Sequence, residues 1–294
     1  MTHTQPLVFT HAMRPVALGL LLLQTSACDN ANDDSAGTQT PTPEEITVHF
    51  TARFGDEPFD CSAEYSGVGL EGSAVTPLDL RLYIQSLALI AADGSEVAID
   101  IAEVAPFQSA EAQVTLLDFE DNTGTCVGSD ETYTTITGTV PEGDYQGLRF
   151  VNGVPEDWNH GDPTAAPGPL QVTAMHWSWL GGYRFLKAEV SSADNPEVTS
   201  VLHTGSTHCT GTPADGIECA HLNRTEVLLE GFDPNTDTVL IDLKALYAGV
   251  DLAQGPRCHG QGESCEAAFS ALGVDTTTGA PLSTQTVFKA VALD

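Results

Sequence analysis

Short apolar runs, many of them alternating with polar residues, recur along most of the chain, and beyond the N-terminal region none sustains a long 3.6-residue period. The pattern predicts strands over 46–54 (ITVHFTARF), 79–90 (DLRLYIQSLALI), 114–117, 133–140, 147–151 and 170–179. Further strands are predicted over 183–190, 197–203, 225–229, 238–243 and 285–291. Turn signals lie between them, among them Asp93-Gly94, Glu142-Gly143, Gly181-Gly182, Ala214-Asp215-Gly216 and Asp233-Pro234-Asn235. Short helical turns are expected only near 243–252 and 265–272. No repeat of fixed period occurs, which argues against a propeller or solenoid. The expectation is an all-β fold, an antiparallel β-sandwich with long loops.

Two N-terminal stretches break this pattern. Arg14 precedes a run from Val16 to Leu23 that is too short to span a bilayer as a helix and reads as a signal-peptide core. The run ends in Thr25-Ser26-Ala27-Cys28, which resembles a lipobox. Residues 1–27 are therefore expected to be a lipoprotein-type leader, with Cys28 the acylated mature N-terminus; the alternative is ordinary cleavage near Ala27. From 29 to 45 no aliphatic side chain is larger than alanine, so 28–45 reads as a disordered tether with nothing to bury against the entropy of ordering. A single β domain over 46–294 follows.

Charge narrows the partners. Lys and Arg number 10 against 41 Asp and Glu, a formal net charge of -31. Such a surface repels polyphosphates and anionic lipid, which argues against nucleic acid and leaves the lipid anchor as the membrane contact. Apart from Cys28, six cysteines remain in a chain expected to be exported, so three disulfides are the default. Six cysteines allow 15 pairings. Short separations favour Cys209–Cys219 and Cys258–Cys265, leaving Cys61–Cys126, and the absence of a CxxC pair disfavours a thiolate metal site.

Catalytic signatures such as GxSxG, HExxH and the P-loop are missing, and no enzyme is expected. One GxGxxG, Gly67 to Gly72, lacks the βαβ context of a dinucleotide site and reads as a glycine-rich turn. The acidic stretch from Asp118 to Asn122 reads as a solvated turn rather than a calcium loop. Residues 152–209 concentrate the candidate chemistry: all three tryptophans, Met175, and four of nine histidines, His160, His176, His203 and His208. Thioether with imidazole is a copper(I) donor set, and imidazole alone also accepts zinc.

Plainer readings compete residue by residue. Trp177 and Trp179, two apart, would share one face of a strand as a core pair. His160 would cap the HGDP turn, His203 would be a hydrogen-bonded core histidine, and Met175 would be packing. His176 would face a different layer from Trp177, and His208 and His221 flank cysteines as surface residues. A metal-independent binding module remains the alternative function, with Trp158, Trp177 and Trp179 as an aromatic platform for a glycan or other surface ligand. A hydrolase built on His160 and Asp162 has only proximity in sequence behind it.

The ordered segments DLRLYIQSLALI, LLDFED, GLRFVNGVP, WNHGDP, MHWSWLGGYRFLKAEV, LHTGSTHC, LLEGFDP and FSALGVD, with the later cysteines, resemble the MbnP-like family. This family is also called the metallo-mystery pair, four-Cys motif proteins, and the likeness runs through roughly 46–290. The resemblance implies a periplasmic or cell-surface copper-binding protein of copper homeostasis, holding copper as Cu(I). It also implies a partner, a di-haem MbnH-type protein of the cytochrome c peroxidase and MauG superfamily. That partner would oxidise the first tryptophan of WxW, here Trp177, to kynurenine. With Trp177, the expected ligands are His160, His203 and Met175. His176 between Met175 and Trp177, and His208 where a small residue is common, depart from the family pattern.

Overall fold

Alternation accounts for the first strand, β1 (Pro43–Phe54): Val48, Phe50, Ala52 and Phe54 are buried while the residues between them are only partly covered. The structure, a computed structural model, describes residues 42–293. The leader, Cys28 and most of the tether lie outside the described residues. β1 begins at Pro43, before the expected domain boundary of 46, because Pro43 to Glu45 stay in register with Pro141 to Thr139.

After β1 come β2 (Glu57–Pro58), β3 (Tyr65–Val68), β4 (Ser73–Ala91), β5 (Glu96–Ala98), β6 (Asp100–Ile101), β7 (Gln108–Ser109), β8 (Val114–Asp118), β9 (Thr135–Pro141) and β10 (Tyr145–Asn152). A short helix α1 (Glu156–Asn159) leads to β11 (His176–Ser178), β12 (Gly182–Tyr183), β13 (Leu186–Ser192) and β14 (Thr199–Thr204). The hairpin β15 (Thr207–Thr212) and β16 (Gly216–His221) precedes β17 (Thr225–Glu230), β18 (Asp237–Asp242) and α2 (Leu243–Tyr247). Last come β19 (Arg257–His259), α3 (Glu266–Ala271) and β20 (Phe288–Ala292).

One sheet runs β20-β18-β1-β9-β6 with β2 beside β1; the other runs β17-β10-β4-β13-β14-β19, with β3, β5 and β8 also on β4 and β7 on β8. Their inner faces meet in one core, where Phe50 of the first sheet lies edge-on to Phe150 of the second at 5.8 Å, and Phe150 to Phe288 at 5.3 Å. Two pairings depart from the antiparallel expectation: β1 with β18 and β14 with β19 are parallel. Long intervening segments supply the crossovers that parallel neighbours require.

β4 is buried on both faces. Leu80, Leu82 and Ile84 enter the sandwich core, while Tyr83 joins a second cluster with Leu116, Leu170, Met175, Tyr183 and Phe185. The 153–185 excursion covers this outer face. Within it the strand expected over 170–179 does not form: 3₁₀ turns occupy Gly168–Gln171 and Thr173–Met175, and only His176–Ser178 is extended. Pro167 and Pro169 lack the N–H groups a strand ladder needs, and they bracket a Gly168 with φ of 41°.

Three disulfides, Cys61–Cys126, Cys209–Cys219 and Cys258–Cys265, staple the loops. The GxGxxG is the turn joining β3 to β4; a Cβ on Gly69 would stand 2.7 Å from the Val250 carbonyl. The acidic segment corrects its expectation, since Asp118 and Glu120 are buried rather than solvated and turn toward Arg81.

Candidate functional site

Register builds the site. Across five strands of the larger sheet, Asp118 pairs with Arg81, Arg81 with Lys187, Lys187 with His203 and His203 with His259. Beside this row Asp79 stands opposite Glu189. Arg81 and Lys187 both form ion pairs with Asp79, Arg81 Nη1 lies 3.6 Å from Glu120, and Lys187 Nζ lies 3.7 Å from Glu189. The outer face of the sheet therefore carries a buried line of charge that ends on a histidine.

His203 has a defined protonation state. Arg184 Nε donates to its Nδ1 at 3.3 Å, and an arginine has nothing to accept with, so Nδ1 is the lone-pair nitrogen. Nε2 then carries the hydrogen and donates to Glu189 Oε1 at 2.6 Å. Burial lowers the His203 pKa against the pull of Glu189, which keeps the ring neutral. Burial pushes the Glu189 carboxyl up, but the hydrogen bond from the neutral His203 and the charges of Lys187 and Arg184 outweigh it and hold Glu189 below its ordinary value. A carboxylate fixing one imidazole nitrogen while the other offers a lone pair is the arrangement that orients metal-binding histidines.

Trp177 sits above this histidine, with ring centroids 6.4 Å apart. The Arg184 guanidinium lies 5.6 Å from the centre of the Trp177 ring. Its Nη1 is anchored by the carbonyls of Ala174 at 2.7 Å and His176 at 3.0 Å. A Cβ on Gly205 would meet Trp177 Cζ3 at 2.5 Å, so this glycine is what lets the indole approach the backbone so closely. Trp177 also lines an open cleft of about 620 Å³ with Leu180, Ser206, His208, Cys209 and His259. The His259 ring is 5.1 Å from His203.

The other sequence candidates fall elsewhere. Met175 is fully buried in the second apolar cluster and does not line the cleft. His160 caps α1; its Nδ1 donates to the Trp179 carbonyl at 3.0 Å and its Nε2 accepts from Asn159 Nδ2 at 3.1 Å. His160 Nε2 also lies 3.2 Å from Cys219 Sγ, but that sulfur and Cys209 are spent on a disulfide, so no thiolate is present. His176 packs edge-on to Tyr183 at 4.9 Å, and its buried Nε2 has no hydrogen-bond partner. Burial, with Arg184 and His160 nearby, lowers the His176 pKa.

The tryptophans correct two expectations. Trp177 and Trp179 are not a core pair, because the segment is not a continuous strand and Trp179 is 47% exposed. Nor do the three indoles make a platform, since Trp158 packs against the second cluster and Arg184 covers the Trp177 face. Asp162 is held by the Thr164 N–H and hydroxyl, and the His160 nitrogens are engaged as above, so the structure forms no His160–Asp162 pair.

His259, Arg184 and Glu189 were not singled out by sequence. Only the parallel pairing of β14 with β19 brings His259 beside His203. The nitrogen donors gathered near Trp177 are thus His203, oriented by Glu189, and His259, for which no hydrogen bond is formed among the described residues. These donors suit copper or zinc.

A family model described as MbnP matches residues 43–260. The chain is also similar to a solved structure, MbnP from Methylosinus trichosporium, at 28% identity and a TM-score of 0.75, covering 86% of this chain and all of that one. No curated protein matches.

Proposed function

The chain belongs to the MbnP family, and from that premise we propose that it is an exported copper-binding protein of copper homeostasis whose Trp177 is oxidised to kynurenine. The proposed oxidant is a di-haem partner of the MbnH type. The observation that carries the reading is the placement of Trp177, on the wall of an open cleft and against a neutral histidine already oriented by a carboxylate.

Opening the indole replaces a side chain that only donates an N–H with one bearing an aromatic amine and a ketone, both with lone pairs. It also alters the aromatic surface that Arg184 covers, since only the six-membered ring remains. His203 Nδ1 would then be a ligand once Arg184 withdraws, with the new amine beside it and His259 as a further imidazole. His160 and Met175, expected as ligands from the resemblance, support the site from outside it: the His160 nitrogens are engaged, and Met175 packs the loop that carries Trp177. The nitrogen donors of this set suit copper, and the proposed form is Cu(I).

The role is binding rather than turnover. A lipoprotein leader over 1–27, an anchor at Cys28 and a tether over 28–45 would place the domain in the periplasm or at the cell surface. The test is native mass spectrometry of the protein from its own host, reading bound metal and the Trp177 peptide from one preparation. Copper together with kynurenine is the expected result. Copper bound equally by protein with intact Trp177, or no copper after its oxidation, would overturn the reading.

A further inference from the structure

Two histidines outside the charged row face each other at the base of the β15–β16 hairpin. The rings of His208 and His221 have centroids 4.2 Å apart and planes inclined by 37°. Strand alternation alone would not bring them together. Thr207 pairs with His221 and Cys209 with Cys219, so a regular His208 would share the opposite face with Ala220. Instead His208 has φ of 55°, a left-handed conformation that is strained for any residue other than glycine. That backbone turns its ring back onto His221.

The surroundings hold both rings in place. The Thr207 hydroxyl lies 3.3 Å from His208 Nδ1 and accepts from Asn223 Nδ2 at 3.1 Å. Behind His221 stands the 275–279 loop, so close that a Cβ on Gly279 would meet His221 Cβ at 2.5 Å. Asp275 in that loop is an ionised carboxylate within electrostatic reach of His221. His208 is exposed on the rim of the Trp177 cleft. No carboxylate or cation is hydrogen-bonded to either imidazole among the described residues. A strained backbone that brings an exposed and a half-buried imidazole together, in a chain of net charge -31, is built to take a cation.

We propose that His208 and His221 form a second, solvent-facing site for a borderline divalent cation, Cu²⁺ or Zn²⁺, distinct from the Trp177–His203 site and independent of Trp177 oxidation. Two imidazoles match the preference of these ions, and Asp275 supplies nearby negative charge.

The test is titration of the full, disulfide-intact chain with unoxidised Trp177, using Cu²⁺ followed by calorimetry and electron paramagnetic resonance. One ion with nitrogen hyperfine coupling is expected. His208→Ser and His221→Ser should each weaken it at least tenfold, and protein whose Trp177 has been oxidised should still bind this ion with the same affinity. His208→Gly separates metal binding from folding: it should bind as weakly as His208→Ser yet unfold at an equal or higher temperature, because the left-handed strain is relieved. Binding that survives both serine substitutions, or a spectrum with oxygen donors alone, would overturn the proposal. Loss of the ion on oxidation of Trp177 would overturn the independence of the two sites.

Discussion

On its inner face β4 places Leu80, Leu82 and Ile84 against the opposing sheet; on its outer face the residues that alternate with them, Asp79, Arg81 and Tyr83, are equally buried. Burial is the same and the chemistry is opposite. The inner contacts are non-directional, so loss of one side chain leaves the others stabilising. The outer contacts are charged and interdependent, and each ion that loses its partner is left in a medium that solvates it poorly. The apolar face holds the sheets together. The ionic face fixes positions, because Asp79 holds Lys187, Lys187 holds Glu189 and Glu189 holds His203.

Removing Arg81 breaks that comparison most severely. Arg81→Met leaves Asp79 with one cationic partner fewer and Glu120 without its arginine, a loss of about 3–5 kcal/mol by chemical denaturation. On the inner face, Leu82→Ala should cost about 2–5 kcal/mol through the cavity it leaves. The distinguishing readout is tryptophan fluorescence of the folded protein. Leu82→Ala should leave the Trp177 signal unchanged, whereas Arg81→Met should alter it through Lys187, Glu189 and His203. Equal fluorescence in both variants would mean that the charged row does not position the site.

Much of the apolar face was legible in the sequence. Alternation in ITVHFTARF marks β1, because burial on one side imposes a period of two, and the nearly continuous apolar run within DLRLYIQSLALI marks β4, which is buried on both sides. The outer face was not legible, since Asp79, Arg81 and Lys187 look like ordinary surface charges until register brings them together. His259 was hidden for the same reason. Met175-His176-Trp177-Ser178-Trp179 misled by its alternation: the prolines upstream divert the backbone into 3₁₀ turns, and tertiary packing places Met175 inside and Trp179 outside.

Gly205 gives a smaller effect at the junction of the two faces. The methyl group of Gly205→Ala would press on Trp177 Cζ3 at 2.5 Å and on the Tyr183 carbonyl at 2.6 Å, so the indole must move. Overpacking of this kind costs about 1–3 kcal/mol. A shift of the Trp177 emission with a modest loss of stability is expected; unchanged emission would show that the ring is not held against the backbone.

The smallest effect is pH-dependent and sharpens the comparison, because only the ionic face titrates. Burial pushes the Asp118 carboxyl up to about 8, against Arg81 and helped by Glu120 and Asp79. In the unfolded chain it returns to its ordinary value near 3.8. Below that value both states hold the proton and the contribution is fully present; as pH rises toward 8 the unfolded chain ionises first, and stability is lost. Asp118→Asn cannot ionise, so relative to the wild type it should gain stability steadily as the pH rises from 4 to 8. Urea unfolding of the pair at both pH values measures the gain. Leu82→Ala, carrying no titrating group, should keep a constant deficit over the same range, and a deficit that drifted with pH would show that the two faces of β4 are coupled through the strand itself.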